Sequence, residues 1–235
     1  MKKIILLFAL ISCSFVGNSQ ILISLLLGDK LNSDKLEFGM DGGLTLSNIA
    51  GSKGQYLRTF NLGFYFDLSI KNKPHLSFTT GLMVKSNLGA DNLSTYSLND
   101  VRLDTIFGSG TNTRKLTYFN LPVMFKYKFK HNFYAEGGLQ AGLRTKALDT
   151  FKQTIDKEDD TQHTHGIKDN TTMLDAGLTV GLGYRLLSGN GMNLGMRYYH
   201  GMVDVVKNDG TLMQYNRAIY FNVGIPIGKT PAKTK

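Results

Sequence analysis

This 235-residue chain has one cysteine, four prolines, no tryptophan and no long apolar run. A single cysteine excludes a disulfide framework. Past the first twenty residues the longest apolar stretch is Ile21–Leu27, broken by Ser24 and far short of the ~20 residues a spanning helix needs. Any membrane home must therefore come from strands. The proline shortage stands against 26 glycines, with 11 tyrosines and 14 phenylalanines as the only aromatics, a profile that suits strands joined by turns.

Lys2, Lys3, the apolar Ile4–Ile11 and the small residues to Gly17, Asn18 and Ser19 read as a signal peptide over residues 1–19, cut near Ser19. Cys13 lies either at a lipidation site or in a leader that is discarded, and both readings stay open. About 215 residues then remain, enough for one domain and at most two. The formal net charge is +9. The positive charge is spread along the chain, with several members in the leader and in a tail containing Lys229, Lys233 and Lys235, so nucleic acid is not expected as a partner.

Leu57–Ile70 carries the organising pattern. Phe60, Leu62, Phe64, Phe66, Leu68 and Ile70 alternate with Thr59, Asn61, Gly63, Tyr65, Asp67 and Ser69, which is the period of a strand with one apolar and one polar face. An apolar row of about 11 residues, tilted by roughly 40°, reaches ~27 Å, close to the apolar band of a membrane barrel. The same alternation predicts strands at Leu36–Ser47, Leu76–Lys85, Phe119–Phe129, Phe133–Arg144, Leu174–Arg185, Met192–Met202 and Ile219–Ile227. Turns are expected at Asn72–Pro74, Lys130–Asn132 and Ser188–Gly191, and long loops at Leu88–Arg114 and Asp149–Asn170. The connections alternate long and short, starting with a long one. The expected fold is all-β, an eight-stranded antiparallel up-and-down transmembrane β-barrel over residues 36–228. Residues 20–35 form a periplasmic segment before it, and 229–235 a basic periplasmic tail.

Volume assigns the faces. The apolar rows hold roughly 40 large side chains, more than the interior of an eight-stranded barrel accommodates, so they face lipid. Most strand glycines fall on the other row, where they make room for long neighbours in a crowded lumen. That lumen is expected to hold Glu37, Asp41, Asp67, Glu136 and Asp175 with Lys85, Lys126, Lys128, Arg144, Arg185 and Arg197. Charges in so narrow a space must pair, which predicts an ion-pair-filled core and not a pore. Tyr127, Phe129, Phe133 and Tyr184 are expected as a headgroup girdle near the short turns.

Asp156–His165 combines carboxylates with His163 and His165, donors suited to a divalent cation. Lysine intrudes and ligand spacing is irregular, so a solvated loop is the reading and no metal or cofactor is expected. His163, His165, His200 and Asp204 are candidates for a hydrolase at the rim, yet no nucleophile elbow or metalloprotease helix accompanies them. No catalytic residue is assigned.

Several segments carry a resemblance. Gly28–Gly39, the Phe119–Tyr127 strand with its internal proline, the Arg197-Tyr198-Tyr199-His200-Gly201 run and the terminal Gly224-Ile225-Pro226-Ile227 are similar to the PorT-like family of small outer-membrane β-barrels. The resemblance implies an outer-membrane barrel without catalytic residues, and one namesake group assists protein secretion. The expected role is a non-enzymatic outer-membrane protein of the cell envelope, structural or interacting through its loops. Its partners are outer-membrane lipid and other envelope or secretion proteins. Two further readings are an accessory of secretion and a rim-located hydrolase.

Overall fold

The computed structural model describes residues 35–156, 159–186, 191–207 and 213–227. The expected leader, the 20–34 segment, most of the Ser188–Gly191 turn and the 229–235 tail lie outside the described residues. Among these residues the strands are β1 (Leu36–Ala50), β2 (Gln55–Ile70), β3 (Lys73–Leu93), β4 (Thr111–Lys128), β5 (Phe133–Asp156), β6 (Asp159–Gly166), β7 (Leu174–Arg185), β8 (Asn193–Asp204) and β9 (Tyr215–Pro226). One short helix, α1 (Val101–Phe107), lies between β3 and β4. All pairings are antiparallel. Eight strands close into a ring through β4–β5 and β1–β9, while β6 hangs on β5 outside it. No described helix is long and apolar enough to cross a membrane.

The rows face as their polarity dictates. Leu121, Leu139, Leu182 and Val223 are 40% exposed or more, whereas Asn61, Asn120, Met124 and Thr179 are buried. Rings of the outer row pack across strands, as where the buried Phe38 meets Phe64 and Phe66 at centroid distances of 5.9 and 5.0 Å. At the short-turn end, Tyr127 meets Phe129 and Phe133 meets Tyr184, both at 4.9 Å, at the level where aromatic rings border a bilayer. Inside, glycine makes close approach possible. A Cβ on Gly39 would collide with the Tyr65 ring, and one on Gly183 with the Tyr134 ring.

Several expectations are corrected. The first connection is a four-residue turn, Gly51–Gly54, because β1 and β2 run on past the apolar row. The turn after β2 is Lys71–Asn72, with Asn72 at φ 63°, a left-handed conformation asparagine tolerates. Lys73 and Pro74 already belong to β3.

The two long loops are largely strand. β3 continues to Leu93, β4 starts at Thr111, and β5 runs to Asp156 before β6 returns as a hairpin. The cause lies in two bulges. The β2–β3 register moves between Gly63↔Met83 and Leu62↔Lys85, and the β4–β5 register moves between Tyr118↔Arg144 and Thr117↔Lys146. Each inserts one residue, and one residue turns a strand's rows over. Above the bulges the inward positions are Ser86, Leu88 and Ala90 on β3, and Ala147, Asp149 and Phe151 on β5.

Candidate functional site

The lumen has two layers. In the short-turn half, Arg197 forms a fork between two carboxylates, with Nη1 donating to Asp41 Oδ2 at 2.8 Å and Nε donating to Glu136. Lys126 Nζ lies 3.1 Å from Asp67 and 3.8 Å from Glu136. Arg185 binds Glu37 at 2.7 Å, and the Tyr65 hydroxyl donates to the other oxygen of Glu37 at 3.1 Å. Lys128, half-exposed at the mouth, stands 3.9 Å from Asp67. The space left between Asp41, Tyr65, Lys126, Tyr134 and Arg197 is about 10 Å³, about enough for one water.

Of the eleven expected lumen charges, eight meet in these pairs. Arg144 and Asp175 are also inside but join no ion pair among the described residues. Arg144 donates to the backbone carbonyls of Thr172, Lys168 and Thr171 at 3.0, 2.9 and 3.2 Å. Asp175 accepts from Asn216 Nδ2 at 2.8 Å, and the same amide donates to the Tyr118 hydroxyl. Lys85 is the correction. The β3 bulge sets it opposite Leu62 on the outer face, where it is exposed.

Above this polar layer lies an apolar one that alternation alone did not reveal. Ile49, Leu88, Ala90, Leu116, Ala147, Ile167, Val205 and Ala218 form one buried cluster with Tyr118, Tyr199 and Tyr220. Leu88, Ala90 and Ile167 sit in the two long loops read from sequence at Leu88–Arg114 and Asp149–Asn170, and Ala147 lies just before the second. The signal was there: after Thr145 the alternation continues as Ala147, Asp149, Phe151 against Lys146, Leu148, Thr150, with the rows exchanged.

Tyr96, from the segment between β3 and α1, lies at the far mouth. Its hydroxyl donates to Asp149 Oδ2 at 3.0 Å, and Arg114 grips the same fully buried carboxylate with Nε at 2.9 Å and Nη2 at 2.8 Å. Its ring meets Phe151 edge-on at 5.1 Å. Burial and the Asp149 carboxylate push the Tyr96 phenol well above the usual tyrosine range, so it stays a donor. Beside it is an open cleft of about 220 Å³ whose lining includes Ser52, Lys53, Asn112, Arg114 and Gln214. Asp100 caps α1 by accepting from the N–H groups of Arg102 and Leu103. Asp104 accepts from Ser97 Oγ at 2.6 Å and the Leu98 N–H at 2.7 Å, which holds its carboxyl below the ordinary range.

The rim candidates do not assemble. His163 packs 6.1 Å from Phe107, His200 lies on the outer row 6.2 Å from Tyr198, and Asp204 accepts from the N–H groups of Val206 and Gln214. Among the described residues no three His, Cys, Asp or Glu side chains gather to hold a metal.

A closed ring of alternating strands, lipid-facing outside and filled inside, defines an outer-membrane β-barrel. Residues 29–207 match the outer membrane protein beta-barrel domain family, and the chain belongs to it. No curated protein matches. Among solved structures, Neisserial surface protein A is similar at 11% identity, over 83% of this chain and 97% of that one, with a TM-score of 0.42. Ail, the attachment invasion locus protein of Yersinia pestis, is similar at 10% identity over 83% and 98%, TM-score 0.40. AlkL, determined in DMPC bilayers, matches at 12% identity over 87% and 96%, TM-score 0.38.

Proposed function

We propose that this outer-membrane protein is a closed, non-enzymatic barrel that recognises its partners at the end where β3, β4, β5 and β6 project. The observation that carries this reading is the double filling of the lumen, ion-paired below and apolar above. A water-filled channel needs neither, and each layer alone would stop ions. Short turns at the opposite end favour its facing the periplasm, which sets the projecting strands and the Tyr96 mouth outside the cell.

Planar-bilayer recording of the refolded protein tests closure. The expected result is no steady conductance, and a large stable one overturns the proposal. Incubation with phospholipid and peptide substrates is expected to give no turnover above a blank bilayer. Turnover lost on replacing His163 or His200 would restore the hydrolase. The finer PorT-like assignment belongs to this proposal as well. Pull-down from native membranes tests its secretion role, and stable recovery of secretion components would replace a solitary barrel with an accessory.

A further inference from the structure

Two open clefts at the far mouth share one aromatic ring. The first, about 220 Å³, lies between the β1–β2 turn (Ser52, Lys53), the end of β3, the start of β4 and Gln214 before β9. The second, about 250 Å³, lies within the 95–108 loop against Ser97, Leu98, Asp104 and Phe107. Tyr96 is the one residue that lines both. It is 41% exposed, although its hydroxyl is fixed on the buried Asp149 and its ring meets Phe151 edge-on. The loop that carries it is braced too, by Thr95 Oγ1 donating to the Gly108 carbonyl at 3.0 Å and by Asp104 binding Ser97 and Leu98. A ring held in this way loses little further freedom when a ligand covers it.

The charges on the two linings cancel. Lys53, Arg114 and Asp104 are the charged lining residues. Arg114 is matched by Asp149, which leaves one cation and one anion. An ionic ligand drawn by one is opposed by the other. What remains for recognition is hydroxyl and amide chemistry beside apolar surface. Asn112, in the lining of the first cleft, is 1% exposed, and its Oδ1 has no hydrogen-bond partner among the described residues. The Ser52 and Thr95 hydroxyls donate to the Ile49 and Gly108 carbonyls, which leaves their oxygens able to accept. Leu93, Leu98 and Phe107 supply the apolar part. A pyranose has this same division: its C–H faces suit the negative face of an aromatic ring, and its rim is a set of hydroxyls that donate and accept. Each cleft is smaller than the ~300 Å³ at which sites for drug-sized molecules begin, so each suits a single ring-sized unit.

We propose that this mouth binds an uncharged oligosaccharide, with one pyranose stacked on Tyr96 and bonded by Lys53, Asn112 and Gln214, and the next unit over Leu98 and Phe107. This site supplies a partner class for the recognition end proposed above and rests on that reading. Nanodiscs expose both ends of the barrel, so binding in them depends neither on orientation nor on closure of the lumen, whereas planar-bilayer conductance tests closure alone.

The full chain is refolded into phosphatidylcholine nanodiscs free of sugar-based detergent. It is titrated calorimetrically with maltotriose, cellotriose, mannotriose and triacetylchitotriose, and with two charged counterparts, trigalacturonic acid and deacetylated chitotriose. At least one uncharged trisaccharide is expected to bind, and to bind more tightly than both charged ones. Y96A is expected to weaken it by about tenfold, while Y96F, which keeps the ring, weakens it less. A K71Q/K73Q control at the short-turn end leaves it unchanged. The heat-dependent gel shift of each variant reports that it is folded. Absence of binding by all four uncharged sugars, undiminished binding by folded Y96A, equal loss in Y96F or in the control, or tighter binding of a charged counterpart overturns the assignment.

Discussion

Arg197 serves two buried carboxylates at once, and its replacement leaves Asp41 without a cation and Glu136 with only Lys126 at 3.8 Å, in a space that holds about one water. Removing one partner of a buried ion pair costs about 3–5 kcal/mol. Arg197→Met is therefore expected to lower the unfolding free energy of the barrel in lipid, read from a urea titration, by that amount, whereas Lys128→Met at the half-exposed mouth changes it by less than about 1 kcal/mol. Glycine is as constrained as charge here. Gly183→Ala would drive a methyl into Tyr134 and the Leu194 carbonyl, an overpacking that costs about 1–3 kcal/mol in the same titration.

At the scale of elements, the β5–β6 hairpin and the α1 loop lean on each other through Phe151, which touches both Tyr96 and Phe107. The ring closes without β6. Replacing residues 150–165 with a short glycine-serine linker is thus expected to leave a heat-modifiable barrel while the amides of the 94–108 loop lose protection from hydrogen exchange. Acid acts on the same loop through Asp104. Its carboxyl titrates below the unfolded value of about 3.9, so its contribution is complete above that pH and is lost as pH falls through the lowered value. Exchange at the Leu98 amide is expected to quicken, relative to its intrinsic acid rate, only below about pH 4. An opening centred near neutrality would mean another group controls the loop.

For the whole molecule the governing fact is which side of the wall meets hydrocarbon. Leu139, 60% exposed and flanked by Val123 and Leu178, lies in the apolar belt. Leu139→Lys should cost about 2–4 kcal/mol in a bilayer, measured by unfolding from lipid vesicles. A cost near zero would put that row in water and remove the membrane reading.

Period-two alternation, glycine on one row and phenylalanine on the other was enough to determine eight of the nine strands, the sidedness of the wall and the eight charges that pair in the lumen out of eleven expected there, because strand parity and hydrocarbon burial are local demands written at every second position. The projecting strands, the apolar layer around Leu88 and Leu116, the Tyr96–Asp149–Arg114 mouth and the outward turn of Lys85 were decided only in three dimensions. A bulge shifts parity through pairing with a neighbouring strand, and whether Val84 or Thr145 is the extra residue depends on Leu62 and Thr117 across the sheet. Beyond that shift the same alternation continues with its faces exchanged, since the wall has left the membrane and water lies where lipid had been.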